Sequence, residues 1–208
     1  VFSIMGNDDA KIFEKSFLEL EKRNIWEYSQ EKIIELEKFK VFGYAYVPPT
    51  PFHLKDWEKY DVSRYVDPGC IHPVDGKHSV NVEKRKRKYE TIKDDLDSLE
   101  KDDFSNWIML FHSPPYDSLL DRADLDGKTI DHAPLDNHVG SIAIQRFIQT
   151  RQPGITLHGH IHESTKLTGQ WKQQFWNTWS FQGAHYGIEL SIVIFDAENP
   201  ENSKRVLI

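Results

Sequence analysis

Short β-rich apolar runs recur along this 208-residue chain, separated by stretches whose apolar residues follow the three-and-four spacing of a helix. That alternation confines the chain to the layered α/β class, because a sheet built from such runs needs helices to cover it. Three of the runs end abruptly on polar residues. Residues 1–5 stop at Gly6-Asn7-Asp8-Asp9, residues 107–111 stop at His112, and residues 155–157 lead into His158-Gly159-His160-Ile161-His162. Strand ends of this kind are where layered α/β proteins assemble their sites.

Between these runs the pattern is readable. Ala10, Phe13, Phe17 and Leu20 recur at spacings of 3, 4 and 3, which predicts a helix to about Arg23, with Asp8 and Asp9 placed for a cap and first turn. Tyr28, Ile33, Ile34, Val41, Phe42, Tyr44, Tyr46 and Val47 suggest short strands in succession, ended by Pro48-Pro49-Thr50-Pro51. Residues 48–82 are rich in Pro, Gly, His and Asp with scattered aromatics, and read as a surface insertion in a single domain over residues 1–208. Tyr89, Ile92, Leu96 and Leu99 predict one amphipathic helix over about 84–101. A third helix follows Gly140-Ser141 and closes at Pro153-Gly154, and strands near 176–181, 188–195 and 205–208 complete the chain.

Composition narrows the function classes. Lys+Arg 26 against Asp+Glu 33 gives 26 − 33 = −7, which argues against general binding to a phosphate backbone. Nucleic acid is therefore an unfavoured partner, and the cluster Lys84-Arg85-Lys86-Arg87-Lys88 reads as a solvated helix face. The lone Cys70 forms no intrachain disulfide and suits a reducing compartment, so the cytoplasm is the expected location. No apolar run approaches the roughly 20 residues of a membrane span.

Imidazole, carboxylate and amide oxygen delivered from several strand ends make a site for a divalent metal. In their order and strand-end settings, Gly6-Asn7-Asp8-Asp9, Phe111-His112-Ser113-Pro114-Pro115 and Gly159-His160-Ile161-His162 resemble the third, fourth and fifth motifs of the calcineurin-like metallophosphoesterases. The resemblance covers the later motifs only. The family's DxH and GDxxD motifs do not occur before residue 6, and the opening in an apolar run leads to the expectation that they lie upstream of Val1.

The resemblance implies a layered αββα sandwich that lacks its first βαβα portion here, and a phosphoesterase that cleaves a phosphodiester with hydroxide held between two divalent ions of Mn, Fe or Zn. It places Asn7, His112 and His160 on one metal and His162 on the other. A small phosphorylated compound is the implied substrate, and the chain alone is expected to be inactive for want of the remaining ligands. Asp8 stands where the family has a histidine that contacts phosphate. It is the candidate catalytic residue, although an ordinary aspartate is ionised at neutral pH and a poor proton donor, and helix capping is its alternative role. The rival to an enzyme is a non-catalytic scaffold that keeps the sandwich. His158 reads as a hydrogen-bonded structural residue, and His138 and His185 as turn residues near the cleft.

Overall fold

The computed structural model describes residues 1–99 and 102–208. Its strands are β1 (Phe2–Ser3), β2 (Glu27–Tyr28), β3 (Ile33–Leu36), β4 (Phe39–Tyr44), β5 (Trp107–Phe111), β6 (Thr129–Ile130), β7 (Ala133–Pro134), β8 (Ile155–His158), β9 (Lys172–Phe175), β10 (Thr178–Gln182), β11 (Ser191–Ile194) and β12 (Lys204–Leu207). The helices are α1 (Glu14–Lys22), α2 (Lys84–Tyr89), α3 (Ile92–Asp97), α4 (Ile142–Arg151) and α5 (Ser164–Thr168).

Six strands form one mixed sheet in the order β3-β4-β5-β8-β10-β9. The four inner strands run parallel, with antiparallel β3 and β9 at the edges. Register follows from side-chain alternation: Phe42, Trp107, Met109 and Phe111 enter one apolar cluster, while Val41, Ile108 and Ile155 enter the cluster on the opposite face. Burial on both faces is what parallel strands require. Ile92 and Leu96 of α3 and Ala143, Ile144, Phe147 and Ile148 of α4 cover the first face. On the second, Val193 of β11 and Phe2 of β1 pack beside Trp171 and Trp179. The protein is thus mixed α/β, and its parallel inner strands bring the ends of β5 and β8 side by side.

Three local expectations are corrected. Residues 84–97 form two short helices, because Thr91 is extended (φ −127°, ψ 151°) and its hydroxyl accepts from the Asp94 N–H to start α3. Tyr89, predicted on the apolar stripe, is exposed, and the predicted helix end at 100–101 lies outside the described residues. Asp8 and Asp9 do not cap α1, which starts after a 3₁₀ turn without a side-chain cap. The carboxylate at that turn is Asp56, which accepts from the Lys11 N–H at 2.8 Å. Nor do residues 48–82 lie on the surface throughout. Trp57 joins the main apolar cluster, Tyr60 is buried, and Lys55 and Glu58 form an ion pair at 2.5 Å with neither side chain exposed. The third helix closes at Pro153-Gly154 as expected, α4 ending on Gln152 in the left-handed region (φ 48°), one residue before Pro153.

The same segment anchors the start of α4. Asp61 accepts from the Ser141 hydroxyl at 2.6 Å and from the N–H groups of Ile142 and Ala143 at 2.7 and 3.2 Å. Burial holds its carboxyl above the usual range despite those bonds. Asp61→Ala strands these donors and is expected to cost about 2–4 kcal/mol, lowering the melting temperature by roughly 5–15 °C, whereas Asp61→Asn keeps an acceptor and costs less. Thermal denaturation of the two variants checks the order.

Candidate metal centre

Each candidate donor arrives from a different strand end. β1 leads through the buried Met5 and Gly6 to Asn7, β5 ends at Phe111 and hands over His112, and β8 ends at His158 with Gly159 and His160 following. The His112 N–H donates to the Tyr44 carbonyl at 3.0 Å, and the Gly159 N–H donates to the His112 carbonyl at 3.0 Å, so the sheet's ladder continues one residue past the strands on both sides.

The Asn7 carboxamide is the hub. Its Oδ1 accepts from His112 Nε2 at 2.9 Å and from His160 Nδ1 at 2.9 Å, while its Nδ2 donates to Asp8 Oδ1 at 3.3 Å. These contacts assign both ends of the amide and both imidazole tautomers, since a carboxamide oxygen only accepts. The two rings lie 5.2 Å apart between centres. Burial pushes the His112 imidazole down to about 4, against an upward pull from the Asp9 carboxylate and with a further downward push from His162. His160 falls to about 3, first through burial and then through its neighbours His112 and His162. Both rings are therefore neutral at physiological pH, the state a metal ligand needs.

Two backbone features make the gathering possible. An added Cβ at Gly6 would lie 2.8 Å from His112 Cε1 and 2.9 Å from Nε2, so only glycine leaves room for that ring. Gly6→Ala is expected to displace His112 from Asn7, and loss of the coupling between the two side chains in NMR spectra of the imidazole nitrogens checks it. His160 adopts φ 67°, a left-handed conformation that costs a non-glycine residue about 1–3 kcal/mol and gathers at functional sites.

The other residues take separate places. His162 is exposed and makes no hydrogen bond with the hub among the described residues, though it lies close enough to depress both buried imidazoles. Asp8 sits exposed at the rim beside Asn7, and Asp9 closes the turn by accepting from the Gly6 N–H at 2.8 Å. His158 is buried between Ser113 and Thr156, its Nδ1 donating to the Ser113 carbonyl at 2.9 Å and its Nε2 accepting from the Thr156 hydroxyl at 2.7 Å. Its ring stacks on Phe111, and burial lowers its pKa to about 4. His185 pairs with Glu189 at 3.1 Å. Sequence reasoning missed the setting of His138, whose Nδ1 meets the buried Asp121 carboxylate at 2.7 Å.

His158 makes stability fall in acid. Its contribution is complete above the unfolded value of 6.5 and is lost as pH falls toward 4, because the unfolded chain takes up a proton that the folded ring refuses. The loss attributable to it between pH 7.5 and 5 is expected to be about 2 kcal/mol. Denaturant unfolding of His158→Gln should show a correspondingly shallower pH dependence than the wild type.

The donors can be tested against a metal. Ligands about 2.1 Å from one cation and at right angles to each other lie about 3.0 Å apart, close to the spacing between Asn7 Oδ1 and each imidazole nitrogen. Two neutral imidazoles and an amide oxygen also suit a borderline divalent ion. Among the described residues, however, no three His, Cys, Asp or Glu side chains are gathered to hold a metal, so the hub depends on its carboxamide.

Comparison with known proteins adds a likeness of fold. A crystal structure matches with 16% identity and a TM-score of 0.56, over 100% of this chain and 64% of that one. At that identity the likeness carries the fold alone. This chain spans just under two thirds of the length of the protein it resembles. No protein-family model and no curated protein matches it. No helix among the described residues is long and apolar enough to cross a membrane.

Proposed function

We propose that this chain is part of a metal-dependent phosphoesterase with the calcineurin-like αββα sandwich, acting on the phosphodiester of a small phosphorylated substrate in the cytoplasm. The observation that carries the reading is the meeting of His112, His160 and Asn7, separated by up to 153 residues in sequence, around one carboxamide oxygen. The apolar packing of β11 and β1 against the second face of the sheet supports the second layer such a sandwich needs.

Asn7, His112 and His160 would hold one divalent ion of Mn, Fe or Zn, and His162 would serve a second whose remaining ligands come from outside this set. Bound ions of this kind supply Lewis acidity at phosphorus and a nucleophile at neutral pH. The chain's own residues contribute orientation and electrostatics. Asp8 holds the Asn7 amide so that its oxygen faces the imidazoles, and its exposed carboxylate stands on the substrate side. Neutral ligands limit the negative charge of the site, so an anionic ester is not repelled. Hydrolysis of a chromogenic phosphodiester by the complete protein, carrying the remaining ligands, with added manganese tests the reading, and turnover unchanged in both His112→Ala and His160→Ala refutes it.

A non-catalytic scaffold is favoured by one observation, the small number of ionisable ligands at the hub. Metal content separates the readings. Protein purified without chelator that carries no divalent ion, and gains none on incubation, supports the scaffold.

A further inference from the structure

Beside the hub lies a second polar feature that the proposed reaction leaves unused. A cleft of about 590 Å³ opens between the start of α1, the segment after β4 and the region around α2, lined by Lys11, Tyr46, Lys59, His78, Lys86 and Arg87 among others. Lys11 follows Asn7 by four residues, so the two are no more than about 14 Å apart along the chain. Tyr46 follows Tyr44, whose carbonyl binds His112. The cleft therefore adjoins the candidate metal centre.

Most charges in it are already matched. Lys55 pairs with Glu58, Lys59 with Asp95 and Glu90, Lys86 with Glu90, and Asp56 accepts from the Lys11 and Ser79 N–H groups. Glu31 and Glu83 stand exposed at its edge, where water screens them. Three half-buried groups keep unused capacity for a ligand. Lys11 Nζ donates to the Tyr46 hydroxyl at 3.1 Å and lies 4.3 Å over the Trp57 ring, yet meets no carboxylate among the described residues. Arg87 forms no ion pair among them, and its buried Nε has no hydrogen-bond partner. His78 has a side chain only 9% exposed, and its buried Nδ1 makes no hydrogen bond, with the Asp56 carboxylate 3.8 Å away. Its Nε2 donates to the Pro73 carbonyl at 2.9 Å, which leaves Nδ1 as an acceptor in the neutral ring.

A buried guanidinium nitrogen without a partner is costly unless an acceptor completes it, and a lysine held on an aromatic face by cation–π attraction keeps its charge free for an anion. We infer that this cleft binds a phosphoryl group carried by the substrate away from the ester that is cleaved, with Lys11 and Arg87 as its cationic contacts and His78 accepting from a neighbouring hydroxyl. Arginine's planar fork matches phosphate oxygens, and the lysine adds a point charge. The substrate class narrows to phosphoesters with a second phosphate. That narrowing rests on the proposed phosphoesterase reading, but the anion site does not.

Titration calorimetry of inorganic phosphate into the protein held in EDTA reads the cleft without metals. One saturable site is expected, weakened at least tenfold by Lys11→Met and by Arg87→Met, restored to within a few fold by Lys11→Arg, and unchanged by His160→Ala. Matching thermal melts show that the variants remain folded. Absence of saturable binding, binding that survives both methionine variants, its loss in His160→Ala, or succinate binding as tightly as phosphate would each overturn the assignment. If phosphate binding behaves as expected while His160→Ala leaves phosphodiester turnover intact, the proposed reaction falls and the anion cleft stands.

Discussion

In the complete protein, replacing His160 with alanine is expected to reduce manganese-supported phosphodiester turnover by about a thousandfold or more, the consequence of losing a ligand worth several kcal/mol to the site. The same position makes a second, opposite prediction. His160 is held at φ 67°, where a glycine sits without strain. His160→Gly should abolish turnover as fully as the alanine variant while leaving the fold as stable as the wild type or more stable by about 1 kcal/mol. Loss of activity with no loss of stability separates a functional histidine from a packing one. A glycine variant that retains turnover, or one that is strongly destabilised, would remove His160 from the centre.

The largest stability effect is expected at the Lys55–Glu58 pair. Lys55 Nζ donates to Glu58 Oε2 at 2.5 Å and to the Thr50 carbonyl at 2.7 Å, and Glu58 also accepts from the Thr50 N–H and hydroxyl at 2.8 and 2.6 Å. Burial raises the Glu58 carboxyl above its usual value, with the lysine and threonine contacts opposing that rise. Lys55→Met leaves this carboxyl buried without its cation, at a cost of about 3–5 kcal/mol, or a melting temperature lower by roughly 10 °C. Proton uptake by Glu58 limits the loss, so the deficit should shrink as pH is lowered toward the carboxyl's own titration. A double change, Lys55→Met with Glu58→Leu, should recover most of the stability, because two matched apolar groups need no solvation. Denaturant unfolding at two pH values checks all three points, and a single-variant loss below about 1 kcal/mol would show that the pair is not a buried charge site.

What the sequence made legible was periodic or punctuated. The run at 107–111 is continuous in apolar residues, as a strand buried on both faces must be, the shorter run at 155–157 places two apolar residues around Thr156, and the ends of both announce His112 and His160. The start of α4 was marked by Ser141, whose hydroxyl does accept from the Ile144 N–H. Long-range partners left no such trace. Asp61 reaches across 80 residues to cap α4, and nothing in its neighbours marks it for that role. The break between α2 and α3 was hidden because Tyr89 and Ile92 keep helical spacing although a β-branched, extended Thr91 lies between them. Residues 48–82 looked like a surface insertion because prolines and charges dominate, yet the charges neutralise one another inside and Trp57 carries the segment into the core. Within the centre, the residue types were evident, whereas the role of Asn7 as the common acceptor and the left-handed turn at His160 are visible only in three dimensions.

Anomalous diffraction from crystals of the manganese-loaded protein tests the central claim most directly. The account predicts a peak bonded to Asn7 Oδ1 and to one nitrogen each of His112 and His160 at about 2.0–2.2 Å, in place of the two hydrogen bonds at 2.9 Å. A saturating metal concentration that leaves those hydrogen bonds intact, with no peak between the three side chains, would contradict it.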